Sequence, residues 1–199
     1  MITKFFPTLI GLQMNPNNHL IEHKLSKKCF EIENQVLSGG KNWLSNTTYN
    51  TIGKYNIFED DYFKDINDFV LQSVDNFCDE LKINKECIDK IPSDAWFNIY
   101  REGDYQEYHH HGNSILSLVY FLKVPKNPAK IYFKSPVLDM IPLSYTEYTT
   151  DTFERIHFEP QPGMLLIFRS HLEHCVEKQT TKDERISFAY NFRRKYERT

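Results

Sequence analysis

Three consecutive histidines, His109, His110 and His111, stand directly before an apolar run of β-branched and aromatic residues at 115–124. Such a run is typical of a β-strand. Alternate side chains of an extended segment point the same way, so we expect His109 and His111 to face together and His110 to face away. Imidazoles are common ligands of transition metals. The sequence therefore predicts two metal ligands in front of this strand.

A further ligand must come from a distant part of the chain, because two imidazoles do not complete a metal site. A second apolar run, 163–168, is followed by two more histidines, His171 and His174. Either one could reach the first pair if the two strands lie side by side. The spacing alone leaves the choice between His171 and His174 open.

Arg185 and Ser187 open another run of strand-forming residues, 185–192. The planar guanidinium of arginine suits paired hydrogen bonds to a carboxylate, and a serine two residues on shares its face in a strand. An arginine is more commonly a surface ion-pair partner, but its place at the start of an apolar strand favours a buried role. These residues predict a carboxylate-bearing ligand near the metal.

The elements that would position these residues divide the chain at about Pro92. Before it, apolar residues recur at helical spacing over 20–37 and 61–81, and Gly39–Gly40 predicts the end of the first helix. After it, five short runs predict strands: 94–100, 115–124, 129–134, 163–168 and 185–192. We therefore expect a mainly β fold, a double-stranded β-helix (jelly roll) with an N-terminal helical layer.

The length of 199 residues and a hydrophobic content of 40% are typical of a single packed domain. Within it, 1–92 is expected to form the helical support and 93–193 the jelly-roll core. The connection at 136–152 is long for a compact domain and is predicted to act as a lid or substrate loop.

Charge and cysteine usage exclude several classes of protein. A formal net charge of -3 argues against nucleic acid as a partner, and the basic segment 192–198 is expected to be a solvated tail. The four cysteines form no CxxC pair, which favours reduced thiols and a cytoplasmic location. No window approaches the roughly 20 apolar residues of a membrane span, so no membrane association is expected.

The order of the motifs resembles that of the Fe(II)- and 2-oxoglutarate-dependent oxygenases. Within them, the chain is most similar to bacterial and phage members related to the prolyl hydroxylases. The motifs are H-x-H at 109–111, G-x-L-L-x-F-x-S at 163–170, H-x-V at 174–176 and R-x-S at 185–187. Outside these motifs, the resemblance also covers FFPT at 5–8, NW at 42–43 and WFNIYREGDY at 96–105. It spans most of the chain, and its discriminating motifs lie in the second half.

The resemblance implies a ligand set and a cosubstrate pocket. His109, His111 and His174 would bind Fe(II), and Arg185 would pair with the distal carboxylate of 2-oxoglutarate with the help of Ser187. The same resemblance raises ascorbate as a further cofactor.

Three residues of the run 94–100 share one face and are expected beside the cosubstrate. Tyr100 occupies the place of a tyrosine that the prolyl hydroxylases direct at 2-oxoglutarate. Asn98 and Trp96 alternate with it and would line the same pocket.

Two positions depart from the pattern of the family. His111 stands where the superfamily usually has a carboxylate, which would leave the iron more electrophilic. Glu107 has the same parity as the histidines and is an alternative carboxylate ligand. Phe121 replaces a second tyrosine of the prolyl hydroxylases, so Tyr100 would carry more of the cosubstrate binding.

The function implied is that of a dioxygenase that converts 2-oxoglutarate to succinate and CO2 while it hydroxylates a substrate. A peptide, with proline as the modified residue, or a small molecule would be the substrate. Two alternatives stay open: a non-catalytic jelly-roll sensor that binds metal, and a cupin-like dioxygenase with three histidines and no need of 2-oxoglutarate.

Overall fold

The structure, a computed structural model, describes residue 3, residues 7–137 and residues 143–195. Its helices are α1 (Asn18–Glu33) and α2 (Lys64–Leu81), with short 3₁₀ turns at Asp61–Phe63 and Lys85–Cys87. Its strands are β1 (Ile10–Met14), β2 (Tyr49–Asn50), β3 (Asp94–Tyr100), β4 (Gln106–His109), β5 (Leu116–Lys123), β6 (Ile131–Lys134), β7 (Arg155–Phe158), β8 (Met164–Arg169), β9 (His174–Val176) and β10 (Arg185–Phe192). All five strands expected from the sequence are present.

The strands form two antiparallel sheets. The larger has the order β1-β8-β5-β10-β3-β2, and the smaller has the order β4-β9-β6-β7. From β3 onward the chain crosses between the two sheets at every connection except the one between β6 and β7. This winding is that of a jelly roll, which confirms the predicted fold class.

Both faces of the central strands of the larger sheet are buried, and apolar residues predominate in them. In β10, Ile186, Phe188 and Tyr190 pack into the core that the helices cover. The alternate residues Arg185 and Ser187 face the space between the two sheets. A single strand thus presents its apolar face to the helices and its polar groups to the interior.

The helices are tied to the larger sheet by buried polar contacts as well as by apolar packing. The Tyr190 hydroxyl donates to Oδ1 of Asn67 on α2 over 2.9 Å. The Tyr120 hydroxyl donates to Oδ1 of Asn18 on α1 over 2.5 Å. Because buried polar groups must be paired, these bonds favour one placement of each helix on the sheet.

The N-terminal part differs from the expectation in two ways. The first helix ends at Glu33, before Gly39–Gly40, and the chain turns at Asn34. The segment also supplies two strands of the larger sheet, β1 and β2. A Cβ at Gly11 of β1 would lie 2.7 Å from the Phe77 ring of α2, so a glycine is needed where the helix crosses this strand. The division of the chain at residue 92 stays a prediction.

Several expected features reach beyond the described residues. Residues 5 and 6 of the FFPT motif, 138–142 of the long connection and 196–199 of the basic tail lie outside them. Of the described part of the tail, 192–195, Phe192 is buried as the last residue of β10, so the expected solvation is wrong there, whereas 193–195 are exposed. Within the described ranges, no helix has the length and apolar character needed to cross a membrane.

Candidate metal centre

Three histidines from two strands and one loop converge between the sheets. His109 ends β4, His174 begins β9, and the two are directly opposite each other in the antiparallel pair. His111 lies two residues beyond the end of β4. One potential ligand nitrogen from each ring lies within 4.8 Å of the other two. The arrangement offers three nitrogen donors to one metal ion.

Backbone carbonyls orient two of the three rings. Nδ1 of His109 donates to the carbonyl of Glu107 over 2.8 Å, and Nδ1 of His174 donates to the carbonyl of Leu172 over 2.9 Å. A carbonyl oxygen only accepts, so each bond fixes the proton on Nδ1 and leaves the lone pair of Nε2 free. Both rings therefore have the tautomer that binds a metal through Nε2.

His111 is fixed by its backbone and by an asparagine side chain. Its backbone N–H donates to the carbonyl of Ser170, and its Nδ1 lies 3.3 Å from the amide of Asn191. In the structure Nδ2 of Asn191 faces this nitrogen and Oδ1 faces Ser117; a metal on Nε2 requires a proton on Nδ1, which Asn191 accepts once its amide is turned to present Oδ1 to the ring. The other end of that amide contacts the hydroxyl of Ser117, which can either donate or accept.

The environment favours the uncharged form of all three imidazoles. Burial, followed by the charge of His109, lowers the pKa of His111 to about 4. Burial also lowers the pKa of His109 and holds that of His174 well below its ordinary value. Metal ions bind the neutral ring, so the site is preorganised for a cation.

The alternatives for the third ligand lie elsewhere. His110 and His171 are both exposed and are outside the group of three. The carboxylate of Glu107 accepts hydrogen bonds from the backbone N–H groups of Leu44 and Ser45, over 3.0 and 3.2 Å. It is thus engaged away from the three imidazoles.

A buried arginine occupies the far end of the same space. Arg185 is only 1% exposed, and its Nη1 donates to the carbonyl of Ala129 over 2.9 Å. The guanidinium carbon lies 4.0 Å from the centre of the Tyr100 ring and 5.7 Å from that of Phe121. Its Nε has no hydrogen-bond partner. None of the ion pairs among the described residues involves this arginine.

An unpaired buried charge is costly unless a ligand completes it. Burial lowers the pKa of Arg185, but a guanidinium with an ordinary pKa above 12 stays charged near neutral pH. Burial also raises the pKa of Tyr100, so its hydroxyl stays protonated and able to donate. This end of the cavity is therefore suited to an anion such as a carboxylate.

The structure brings all eight predicted site residues together around one cavity. They are Trp96, Asn98, Tyr100, His109, His111, His174, Arg185 and Ser187. Trp43 and Gln106 also line it and were not predicted. For Trp43 the sequence offered one signal, the NW dipeptide at 42–43, to which no role could be attached.

The two ends of the cavity fit a metal and a carboxylate ligand together. Imidazole donors suit Fe(II), and three ligands leave positions for further groups on a six-coordinate ion. The orphaned Nε of Arg185 marks the place where a carboxylate would complete the hydrogen bonding. Fold and site together define a jelly-roll protein in which three histidines that could hold a metal ion and a buried arginine line one cavity.

Residues 94–191 match the model of a protein family described as "Putative 2OG-Fe(II) oxygenase", where 2OG is 2-oxoglutarate. With the jelly roll and the three-histidine group, this match places the chain in the superfamily of Fe(II)- and 2-oxoglutarate-dependent oxygenases. The cofactors of that superfamily, Fe(II) and 2-oxoglutarate, are those that the cavity fits. A comparison with curated protein sequences gave no match.

Several solved structures have the same fold. A prolyl-4-hydroxylase from Pseudomonas putida is 16% identical, with 94% of each chain covered and a TM-score of 0.65. A Trichoplax adhaerens prolyl hydroxylase, solved with a peptide fragment of hypoxia inducible factor, is 11% identical, with 92% of this chain and 83% of that chain covered and a TM-score of 0.61. The epimerase SnoN of nogalamycin biosynthesis, solved with Fe3+, alpha-ketoglutarate and nogalamycin RO, is 9% identical over 94% and 79%, with a TM-score of 0.62. At these identities the likeness shows the fold.

Proposed function

We propose that this protein is a dioxygenase that uses Fe(II) and 2-oxoglutarate to hydroxylate a C–H bond of a peptide side chain, with proline as the preferred target. The observation that carries the proposal is the pairing of two features in one cavity. A group of three neutral imidazoles lines it together with the guanidinium of Arg185, which has no ion-pair partner among the described residues and whose Nε has no hydrogen-bond partner.

In this proposal His109, His111 and His174 hold the iron through Nε2. Their Nδ1 atoms keep their protons. That of His109 is donated to the carbonyl of Glu107, and that of His174 to the carbonyl of Leu172. When both are bound, iron and 2-oxoglutarate supply the oxidising chemistry, in which O2 is consumed and succinate and CO2 are released. The imidazoles hold the metal in place, and burial keeps them neutral.

The deep end of the cavity binds the cosubstrate. Arg185 pairs with its distal carboxylate. Ser187, two residues further along β10 and on the same face, adds a hydroxyl. The protonated hydroxyl of Tyr100 donates a further hydrogen bond. Asn98 lines the pocket beside them, where its Oδ1 already accepts from Nε1 of Trp96 over 3.3 Å. Phe121 contributes an apolar wall.

The substrate class rests on the relatives and on charge. Two of the similar structures are of prolyl hydroxylases, and one of these was solved with a peptide. The net charge of -3 is unsuited to a nucleic acid substrate. A cytoplasmic location is part of the proposal, since all four cysteines are free thiols.

Reconstitution without oxygen tests the proposal. Fe(II) and 2-oxoglutarate are added to the protein in a glovebox, and the visible spectrum is recorded before and after air is admitted. We expect a weak metal-to-ligand charge-transfer band that needs both additions, followed by succinate formation that a proline-containing peptide library stimulates. The same assay with and without ascorbate tests its place as a cofactor.

The all-histidine donor set favours one other function, a dioxygenase that does not use 2-oxoglutarate. Such an enzyme would consume O2 with its substrate while the spectrum and the rate ignore 2-oxoglutarate. A sensor would bind the metal and form no product. Either outcome would contradict the proposal, and each would be recognised from the same set of measurements.

A further inference from the structure

Trp43 is a wall of the metal cavity that comes from outside the jelly roll. Among the described residues that line the cavity, it alone precedes β3 in the chain. It lies in the segment 40–47, which forms turns and contains neither helix nor strand. The indole is half-buried, as are His109 and His111, whereas Arg185 and Tyr100 are fully buried. Trp43 therefore belongs to the accessible rim of the cavity.

A carboxylate from β4 holds this segment in place. Oε1 of Glu107 accepts from the backbone N–H of Leu44 over 3.0 Å, and Oε2 accepts from that of Ser45 over 3.2 Å. Nε2 of Gln106 also donates to Oε2, over 2.9 Å. Two successive N–H groups, more than 60 residues away in sequence, are thus bound by the two oxygens of one side chain.

Burial of the Leu44 side chain does not explain why the segment next to Trp43 adopts this position. Leu44 is 78% exposed, so its side chain gains little from this conformation. The ring of Trp43 packs against Gly40, where a Cβ would lie 2.7 Å from the indole, and Gly40 has a φ of +56°. The backbone at Gly40 and the carboxylate of Glu107 together set where the indole points.

The main chain of Glu107 contacts a proposed metal ligand. Its carbonyl accepts from Nδ1 of His109, while its side chain holds the neighbours of Trp43. One residue thus links a metal ligand to the wall that stands beside it.

We propose that Glu107 is a positioning residue that holds Trp43 at the accessible rim of the metal cavity, where the indole screens the metal and contacts the substrate. This inference rests on the proposed function for the identity of the metal and the substrate. The clamp, by which we mean the two bonds from the Leu44 and Ser45 N–H groups to the Glu107 carboxylate, does not depend on that function. Because a substrate must reach the metal from the accessible end, the aromatic face of Trp43 determines which side chains fit there.

The first test measures the position of the indole in the metal-free protein. The chain has two tryptophans, Trp43 and Trp96, so acrylamide quenching of tryptophan fluorescence in the wild type and in Trp43→Phe separates their contributions. Glu107→Gln replaces one of the two acceptor oxygens by an NH2 group. That group cannot accept from the backbone N–H that it faces, so one of the two bonds is lost. We expect stronger quenching in Glu107→Gln and no change when Glu107→Gln is added to Trp43→Phe. Equal quenching in wild type and Glu107→Gln would overturn the inference.

The second test uses Co(II) alone as the probe and measures its release to excess EDTA. Trp43→Ala and Glu107→Gln should each release the metal about tenfold faster, the usual size of an effect on a supporting shell. The double variant should be no faster than either one, because both changes remove the same wall. Trp43→Phe should restore slow release. Additive effects, or release at the wild-type rate, would contradict the inference.

Two controls keep the outcome interpretable. Glu86→Gln changes an exposed glutamate in the same way and should alter neither quenching nor release. Hydrogen exchange of the wild type needs no variant to fold, and it should show slow exchange at the Leu44 and Ser45 amides. Fast exchange there would refute the clamp. A protein that shows the clamp but makes no succinate would sink the proposed function and leave this inference standing.

Discussion

The two ends of the cavity differ in burial and in charge. At the deep end, Arg185 is sealed from solvent and carries a permanent positive charge with an unfilled hydrogen-bond donor. At the rim, His109 and His111 are half-buried and neutral. The deep end therefore carries a charge suited to an anion without any bound group, whereas the rim would acquire a charge only with a metal.

The position of each end in the sheets explains the difference. Arg185 lies on β10, which is hydrogen-bonded on both sides, to β3 and β5. His109 lies on β4, which is an edge strand of the smaller sheet. Central strands open less readily than edge strands and their loops. We infer that the backbone around Arg185 is more rigid than the backbone around the histidines at the rim. Substitutions and ligands should therefore change the rim more than the pocket around Arg185.

Removing one of the three metal-binding imidazoles should have the largest effect. His174→Ala deletes the most buried of the three ligands, and we expect it to abolish metal binding, measured by titration with Co(II) under anaerobic conditions. His110→Ala, which changes the exposed neighbour of two ligands, should bind Co(II) like the wild type. Equal losses in both variants would mean that the three-histidine group is not the metal site.

Removing the deep charge should affect the cosubstrate and spare the metal. Arg185→Leu would leave the carboxylate of 2-oxoglutarate buried and unpaired, at a cost of roughly 3–5 kcal/mol. The concentration of 2-oxoglutarate that half-saturates the charge-transfer band should then rise by more than about 100-fold. Co(II) binding should not change. Arg193→Leu, at an exposed position, serves as the control. An unchanged 2-oxoglutarate requirement in Arg185→Leu would move the carboxylate pocket elsewhere.

The parts of this site that the sequence predicted are those set by strand periodicity. The bounds of β3 and β10 were predicted correctly because both faces of these strands are buried and strand-forming apolar and aromatic residues predominate in them. The same alternation predicted that His109 and His111 face together, and they do, although His111 lies beyond the end of β4 and is held by its backbone bond to Ser170. It also put Asn98 and Tyr100 on one side of their strand.

The parts that were missed depend on contacts between distant segments. β4, with the sequence QEYH, has no apolar pattern, and β9 has only three residues. Trp43 could not be placed, because its segment is held by a carboxylate that lies on β4. No local pattern reports such a contact.

A smaller effect is expected of pH on the free energy of unfolding. It also distinguishes the histidines at the rim, which titrate, from Arg185 at the deep end, which does not. In the unfolded chain a histidine takes up a proton below a pKa of about 6.5, whereas folded His111 does so only near 4. The unfolded state thus binds more protons between these values, and the free energy of unfolding of the metal-free protein should fall as pH is lowered from 6.5 to about 4.

Denaturant unfolding at several pH values checks this expectation. The same direction applies to His109 and His174, whose pKa values are also lowered by burial. His111→Asn should flatten the decline, while Arg185 stays charged throughout and adds nothing to it. A decline of the same slope in His111→Asn would show that other groups cause it.

The smallest effect should come from restoring a hydroxyl at the deep end. The ring of Phe121 lies 5.7 Å from the guanidinium carbon of Arg185, so Phe121→Tyr places a new donor beside the carboxylate pocket. We expect the half-saturating concentration of 2-oxoglutarate to fall by a few-fold, the net worth of one ordinary hydrogen bond of roughly 1 kcal/mol. Without 2-oxoglutarate, the buried hydroxyl lacks a partner and should destabilise the protein by about 1–3 kcal/mol.

Phe97→Tyr is the matched control, because Phe97 is equally buried but lies in the core on the helix side of the larger sheet. It should destabilise the protein to a similar extent and leave the 2-oxoglutarate requirement as it is. If Phe121→Tyr behaves in the same way as Phe97→Tyr, the carboxylate is bound away from Phe121. Tyr100, whose ring is the closer of the two to Arg185, would then be its second partner.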